Sequence, residues 1–145
     1  MIIPDVNLLV YAYNCDLPQH QLSREWWEGC LNSIEVPIGL PWAVALGYIR
    51  IMTHPKVFPE PIAPEKAIQD IDSWLKQPHV QILDPGSGHL AVLKHLLAVV
   101  GSSGNLTTDA HIAALALESG AVVYSNDTDF LRFPGIKVVN PLQAA

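Results

Sequence analysis

Short apolar segments alternate with helical ones along this chain, and that alternation is the tightest constraint on its fold. Two strands joined by a helix lie parallel, because the helix returns the chain to the edge where the first strand began. The pattern predicts strands over Met1–Pro4, Glu35–Ile38, Val80–Leu83, Ala121–Ser125 and Lys137–Val139. Between them it predicts helices over Asn7–Tyr13, Gln19–Leu31, Pro41–Met52, Pro64–Lys76, Ser87–Val100 and Thr107–Glu118, with a helical turn or two over Asp127–Arg132. Pro41 suits a first helical turn, Ser87 and Thr107 or Thr108 suit N-caps, and Gly120 suits the position just past a helix end. Thr53–Pro61 reads as a proline-rich loop, Gly101-Ser102-Ser103-Gly104 as a helix stop, and Gly39 as a loop glycine. The expected architecture is α/β: a parallel sheet of four or five short strands with helices on both faces, in one domain over residues 1–145.

At 145 residues, half of them hydrophobic and 15% charged, the chain has enough apolar surface for a packed core. A net charge of −6 argues against a broad basic face for nucleic acid, and a surplus of acids suits a site that gathers divalent cations. Cys15 and Cys30, with only His20 between them, match no zinc pattern. The apolar start has no basic leader and is interrupted by Asp5, unlike a signal peptide. Leu90–Val100 contains Lys94 and His95 and is too short to cross a bilayer. A cytoplasmic protein without a membrane segment is the expectation.

In open α/β sheets ligands collect beyond the carboxyl ends of the strands. Asp5 follows the first strand directly, and Asp127 and Asp129 follow the fourth. Asp109 lies at the start of the helix before it. Each has a plain structural reading: Asp5 as an N-cap, Asp109 as a first-turn acid favoured by the helix dipole, Asp127 or Asp129 as a turn former. Taken together, they put carboxylates at one crevice from separate elements, where they repel unless a cation lies between them. An all-oxygen set suits Mg²⁺ or Mn²⁺, which can activate water and neutralise a phosphodiester. Gly86-Ser87-Gly88 lacks a P-loop lysine, no Gly-x-Ser-x-Gly elbow occurs, and no two histidines have His-Glu-x-x-His spacing. His111 reads as a helix-face residue rather than a ligand.

The segments Asp5-Val6-Asn7-Leu8-Leu9-Val10-Tyr11-Ala12, Thr108-Asp109-Ala110-His111-Ile112-Ala113-Ala114-Leu115-Ala116 and Asn126-Asp127-Thr128-Asp129-Phe130 occur in that order. Gly47–Phe58 adds a fourth motif. Together they resemble PIN-domain proteins of the VapC type, the toxin half of type II toxin–antitoxin systems, over nearly the whole chain. The resemblance implies a PIN-like sheet and a Mg²⁺-dependent (or Mn²⁺-dependent) endoribonuclease acting on structured RNA such as tRNA or rRNA. It further implies a VapB-like antitoxin as inhibitor and a homodimer. It carries Asp5, Asp109 and Asp127 over as catalytic metal ligands, with Asp129 assisting. Asn7 beside the first acid and Arg50 near the end of the third helix are the expected substrate contacts, Arg50 to a phosphate or else in an ion pair.

One departure stands out. Many PIN proteins carry a glutamate on the third helix, and the matching position here is Gly47, with no acid between Glu35 and Glu60. Glu118 is no substitute, because nine residues from Asp109 it falls on the opposite helix face. Two rivals follow: a small-molecule phosphohydrolase, and a PIN fold with a weakened site that binds RNA or a partner. Trp26, Trp27, Trp42 and Trp74 are read as core or interface residues, with base stacking as the alternative.

Overall fold

The structure, a computed structural model, describes residues 1–101 and 104–143, without the Asn105 side chain. Five parallel strands form one sheet: β1 (Ile2–Pro4), β2 (Ile38–Pro41), β3 (Val80–Leu83), β4 (Val122–Tyr124) and β5 (Lys137–Val139), in the order β3-β2-β1-β4-β5. Helices α1 (Val6–Tyr13), α2 (His20–Asn32), α3 (Trp42–Met52) and α4 (Pro64–Leu75) connect β1 to β2 and β2 to β3. Helices α5 (His89–Val100) and α6 (Thr107–Ser119) carry the chain from β3 back across to β4. α1 packs on α2 and α3, and α3 on α4, whereas α5 and α6 pack on each other. Right-handed crossovers in opposite directions put these two groups on opposite faces of the sheet.

The strand order reverses between β1 and β4, which is where such sheets open a crevice. Pro4 pairs with Tyr124 there, and the Asp5 N–H donates to the Tyr124 carbonyl at 2.9 Å. Asp5 and Ser125 are therefore the first residues past the paired strand ends, side by side.

Three boundaries differ from expectation. The second strand is Ile38–Pro41, not Glu35–Ile38. Glu35 and Val36 are exposed in a turn, while Ile38, Gly39, Leu40 and Pro41 are all buried between β1 and β3. Gly39 is thus a strand residue: a Cβ there would lie 2.8 Å from Met1 Sδ and 3.0 Å from Leu83 Cδ2. Pro41 closes β2 and is the N-cap of α3, so its missing N–H falls at a strand end. Ser87 does not cap α5. The N-cap is Gly88, and the preceding Gly86 N–H donates instead to Glu118 Oε1 of α6 at 3.1 Å. Neither Thr107 nor Thr108 caps α6, because a 3₁₀ turn over Gly104–Leu106 runs directly into it and makes both helical. Gly120, at φ 65°, closes α6 as expected. The expected stop at Ser102-Ser103 lies outside the described residues. Among the described residues, no helix is long and apolar enough to cross a membrane.

Trp27, Tyr48 and Trp74 are fully buried, and with Tyr13 they form an aromatic cluster contributed by α1–α4. Tyr48 meets Trp74 edge-on with centroids 4.9 Å apart, and Trp74 Nε1 donates to the Tyr13 hydroxyl at 2.7 Å. The Tyr48 hydroxyl donates to Asp70 Oδ2 at 2.7 Å, and Lys66 Nζ donates to Asp70 Oδ1 at 2.6 Å. Asp70 is buried, so losing either donor leaves a carboxylate short of partners. Tyr48→Phe is expected to lower unfolding free energy by about 1–3 kcal/mol, read from urea denaturation.

Candidate metal centre

Asp5 does two things at once. It is the N-cap of α1, its Oδ1 accepting from the Val6 N–H at 2.8 Å, and it faces the crevice. Its Oδ2 accepts from Ser125 Oγ at 2.8 Å. Each carboxylate oxygen has a second lone pair, so capping leaves the group able to face a cation. Burial raises the Asp5 pKa, the bonds from Ser125 and Val6 work against that, and the Asp127 charge adds to it.

Ser125 links the two strand ends. Its hydroxyl donates to Asp5 and accepts from the Asp127 N–H at 2.9 Å. Asp127 in turn caps the 3₁₀ turn Thr128–Arg132, its Oδ1 accepting from the Asp129 N–H at 2.9 Å. One hydrogen-bonded chain therefore runs from Asp5 through Ser125 and Asp127 to Asp129. In the sequence Ser125 closes the fourth expected strand and carries no assigned role. Its signal was local: a hydroxyl two residues ahead of an aspartate is the spacing of a side-chain turn.

Asp109 enters from the first turn of α6. Asp109, Asp127 and Asp129 each place a carboxylate oxygen within 4.8 Å of the other two. Asp5 falls outside that tight trio, but its charge reaches Asp109. The Asp109 carboxyl is pushed up to about 7, first by burial and then by Asp5, Asp127 and Asp129. The four acids thus form one electrostatic unit, with Asp5 as a buried, fixed member. Oxygens around an octahedral Mg²⁺, about 2.1 Å from the ion, lie about 3–4 Å apart. Hard oxygen donors in mutual repulsion suit a divalent cation.

The remaining candidates sit around this cluster. Asn7 is half-buried at the second position of α1, two residues past Asp5. Arg50 is exposed in the last turn of α3, where a cation also favours the helix dipole, and it makes no ion pair among the described residues. Gly47 has a packing reason: a Cβ there would lie 3.3 Å from Val6 Cγ2, so α3 closes on the start of α1. The His111 Nδ1 lies 2.8 Å from His89 Nε2, and His89 Nδ1 meets Glu118 Oε2 at 2.6 Å, so His111 is engaged with α5. Trp27 and Trp74 are core, Trp26 stacks on Tyr124, and Trp42 is 54% exposed.

The PIN-domain family profile matches residues 2–136. Ribonuclease VapC33 of Mycobacterium tuberculosis is 40% identical over 143 residues, covering 99% of both chains. VapC ribonuclease Mb2897 of Mycobacterium bovis is 41% identical over 142 residues, 98% of this chain and 96% of that one. Among solved structures, VapBC2 from Rickettsia felis bound to a DNA fragment from their promoter matches with a TM-score of 0.69. It is 20% identical and covers 97% of this chain and 98% of its own, a likeness of fold.

The raised Asp109 carboxyl makes a stability prediction with a definite sign. Folded, the group keeps its proton to about pH 7, whereas its ordinary value is 3.8. Between those values the folded state binds more protons than the unfolded one, so stability falls as pH rises and stays low above 7. In EDTA, the Tm contribution of Asp109 is expected to decline from pH 4 to 7. Asp109→Asn should raise Tm at pH 8, change little at pH 4, and lose the Tm gain that Mn²⁺ gives the wild type.

Proposed function

The chain belongs to the PIN-domain family, among the VapC ribonucleases, and on that premise we propose that it is a divalent-metal-dependent endoribonuclease acting as a toxin. Mg²⁺, or Mn²⁺ in its place, is the proposed cofactor. Structured RNA such as tRNA or rRNA is the proposed substrate. The observation that carries the reading is the four-carboxylate unit at the β1–β4 switch point, built from three separate elements and carrying a carboxyl pushed to about 7.

In this reading Asp109, Asp127 and Asp129 hold the cation and Asp5 fixes the inner edge of its site. A cation held there would supply charge stabilisation to a phosphodiester under attack and would lower the cost of ionising a water. The protein's own work is positional. Ser125 holds Asp5 against β4 and sets the backbone of Asp127, so both strand ends keep one geometry. A phosphodiester approaching four carboxylates on a chain of net charge −6 meets repulsion that only a cation removes, which fits metal dependence of binding as well as of cleavage. Asn7 and Arg50 are the proposed substrate contacts. With Gly47 in place of a helix acid, Asp129 supplies the further carboxylate from the loop after β4.

A VapB-like antitoxin and a second copy of the chain are the proposed protein partners. Support comes from exposed apolar side chains on helices: Trp42 and Leu46, one turn apart on α3, and Leu90 and Val99 on α5. The Rickettsia felis relative is itself a VapBC assembly.

The experiment is cleavage of total tRNA and rRNA by purified protein, read on sequencing gels. Cleavage is expected with Mg²⁺ and none with EDTA. Asp109→Ala should lower the rate by more than about a hundredfold. Ser125→Ala should lower it by about 10- to 100-fold with the cut sites unchanged, as for a residue that orients a ligand. Equal rates in all three proteins, or cleavage of a simple phosphomonoester without RNA, would remove the reading.

A further inference from the structure

Beside Asp127, a cavity of about 130 Å³ opens at the carboxyl ends of β4 and β5, and Asp109 is not part of its lining. It shares Ser125 and Asp127 with the acid cluster, so whatever fills it lies against the metal centre. Its other walls are the amide residues Asn126, Asn140 and Gln143, with Thr128, and the aliphatic residues Leu131 and Val138. Asp127 is the one charged side chain in its lining among the described residues. A phosphate would need a cationic partner there, and the described residues of the lining offer none. A neutral planar group with hydrogen-bonding edges suits amides above an aliphatic wall.

The amides are held in a fixed sense. The Leu142 N–H donates to Asn140 Oδ1 at 3.0 Å, which turns Asn140 Nδ2 toward Asn126 Oδ1 at 2.9 Å. With its oxygen so engaged, Asn126 has its Nδ2 hydrogens left over, and they make no bond among the described residues. Asn126 also lies between Ser125 and Asp127 in sequence, and adjacent Cα atoms are about 3.8 Å apart. Its amide is therefore tied to the same backbone segment that positions the acids.

We propose that this cavity receives one unpaired nucleobase adjoining the phosphodiester at the metal centre, and that Asn126 Nδ2 donates to an acceptor on its edge. The proposal rests on the ribonuclease reading above and adds to it a specificity pocket. The base must be unpaired, because a paired base in an RNA helix cannot present an edge to so small a cavity. Leu131, 69% exposed at the rim, supplies an apolar surface for the base to slide past.

The test uses a pool of RNA hairpins with a fully randomised loop. One aliquot is bound in Ca²⁺ and the retained RNA sequenced; another is cut in Mg²⁺ and the new ends sequenced. Wild type is expected to favour particular bases at one loop position next to the cut. Asn126→Ala should relax that preference by about tenfold at that position alone. Asn126→Asp, which still accepts from Asn140 but presents an acceptor, should move the preference toward bases that donate. The Mn²⁺-induced rise in Tm should persist in Asn126→Ala, which separates loss of the pocket from collapse of the acid cluster. An unchanged preference in Asn126→Ala, or no preference in the bound wild-type pool, overturns the pocket. Preference in the bound pool without any cutting upholds the pocket and removes the nuclease reading.

Discussion

The hydrogen bond from Ser125 to Asp5 is the contact on which the site's geometry depends. It joins the ends of two strands that are 120 residues apart in sequence but adjacent in the sheet. The bond is possible because β1 and β4 pair in one register, Ile2 with Val122 through Pro4 with Tyr124. A shift by one residue would turn every side chain past the strand ends to the other face and separate Asp5 from Ser125. The buried strands, from Ile3 to Val123, thus set the register, and the register sets the carboxylates.

Repulsion among those carboxylates is a cost the fold carries. Asp109 shows it most clearly, since its carboxyl is pushed up by burial and by three neighbouring acids at once. Asp5 is more deeply buried, yet Ser125 and the Val6 N–H offset part of that burial. The two acids therefore differ in kind. Asp5 accepts hydrogen bonds from Ser125 and the Val6 N–H, whereas the Asp109 carboxyl has three acids as its charged neighbours. Ligand sites commonly hold such local conflict, with the rest of the structure consistent around them.

Much of this was legible in the residues. Alternating apolar and helical segments carried the parallel sheet, and the aspartates after β1 and β4 marked the crevice. The cap reading of Asp5 is met by its bond from the Val6 N–H, and the same side chain also accepts from Ser125 at the end of β4. What was hidden has physical causes. β2 is Ile38–Pro41, and its Gly39 and Pro41 are residues that propensity assigns to turns, so burial between two neighbouring strands is what makes the segment a strand. The α5 start is held by Glu118 from another helix, a contact no local pattern contains. Ser125 is not distinguished in the sequence, because a hydroxyl at a strand end has many ordinary roles until the strand beside it is known.

The central claim is that these acids form a cation site, and anomalous diffraction from crystals grown with Mn²⁺ tests it most directly. The account predicts a peak bounded by Asp109, Asp127 and Asp129, about 2.2 Å from their oxygens, with Asp5 still bonded to Ser125. No peak among the aspartates, or a peak only at His89 and His111, would contradict it.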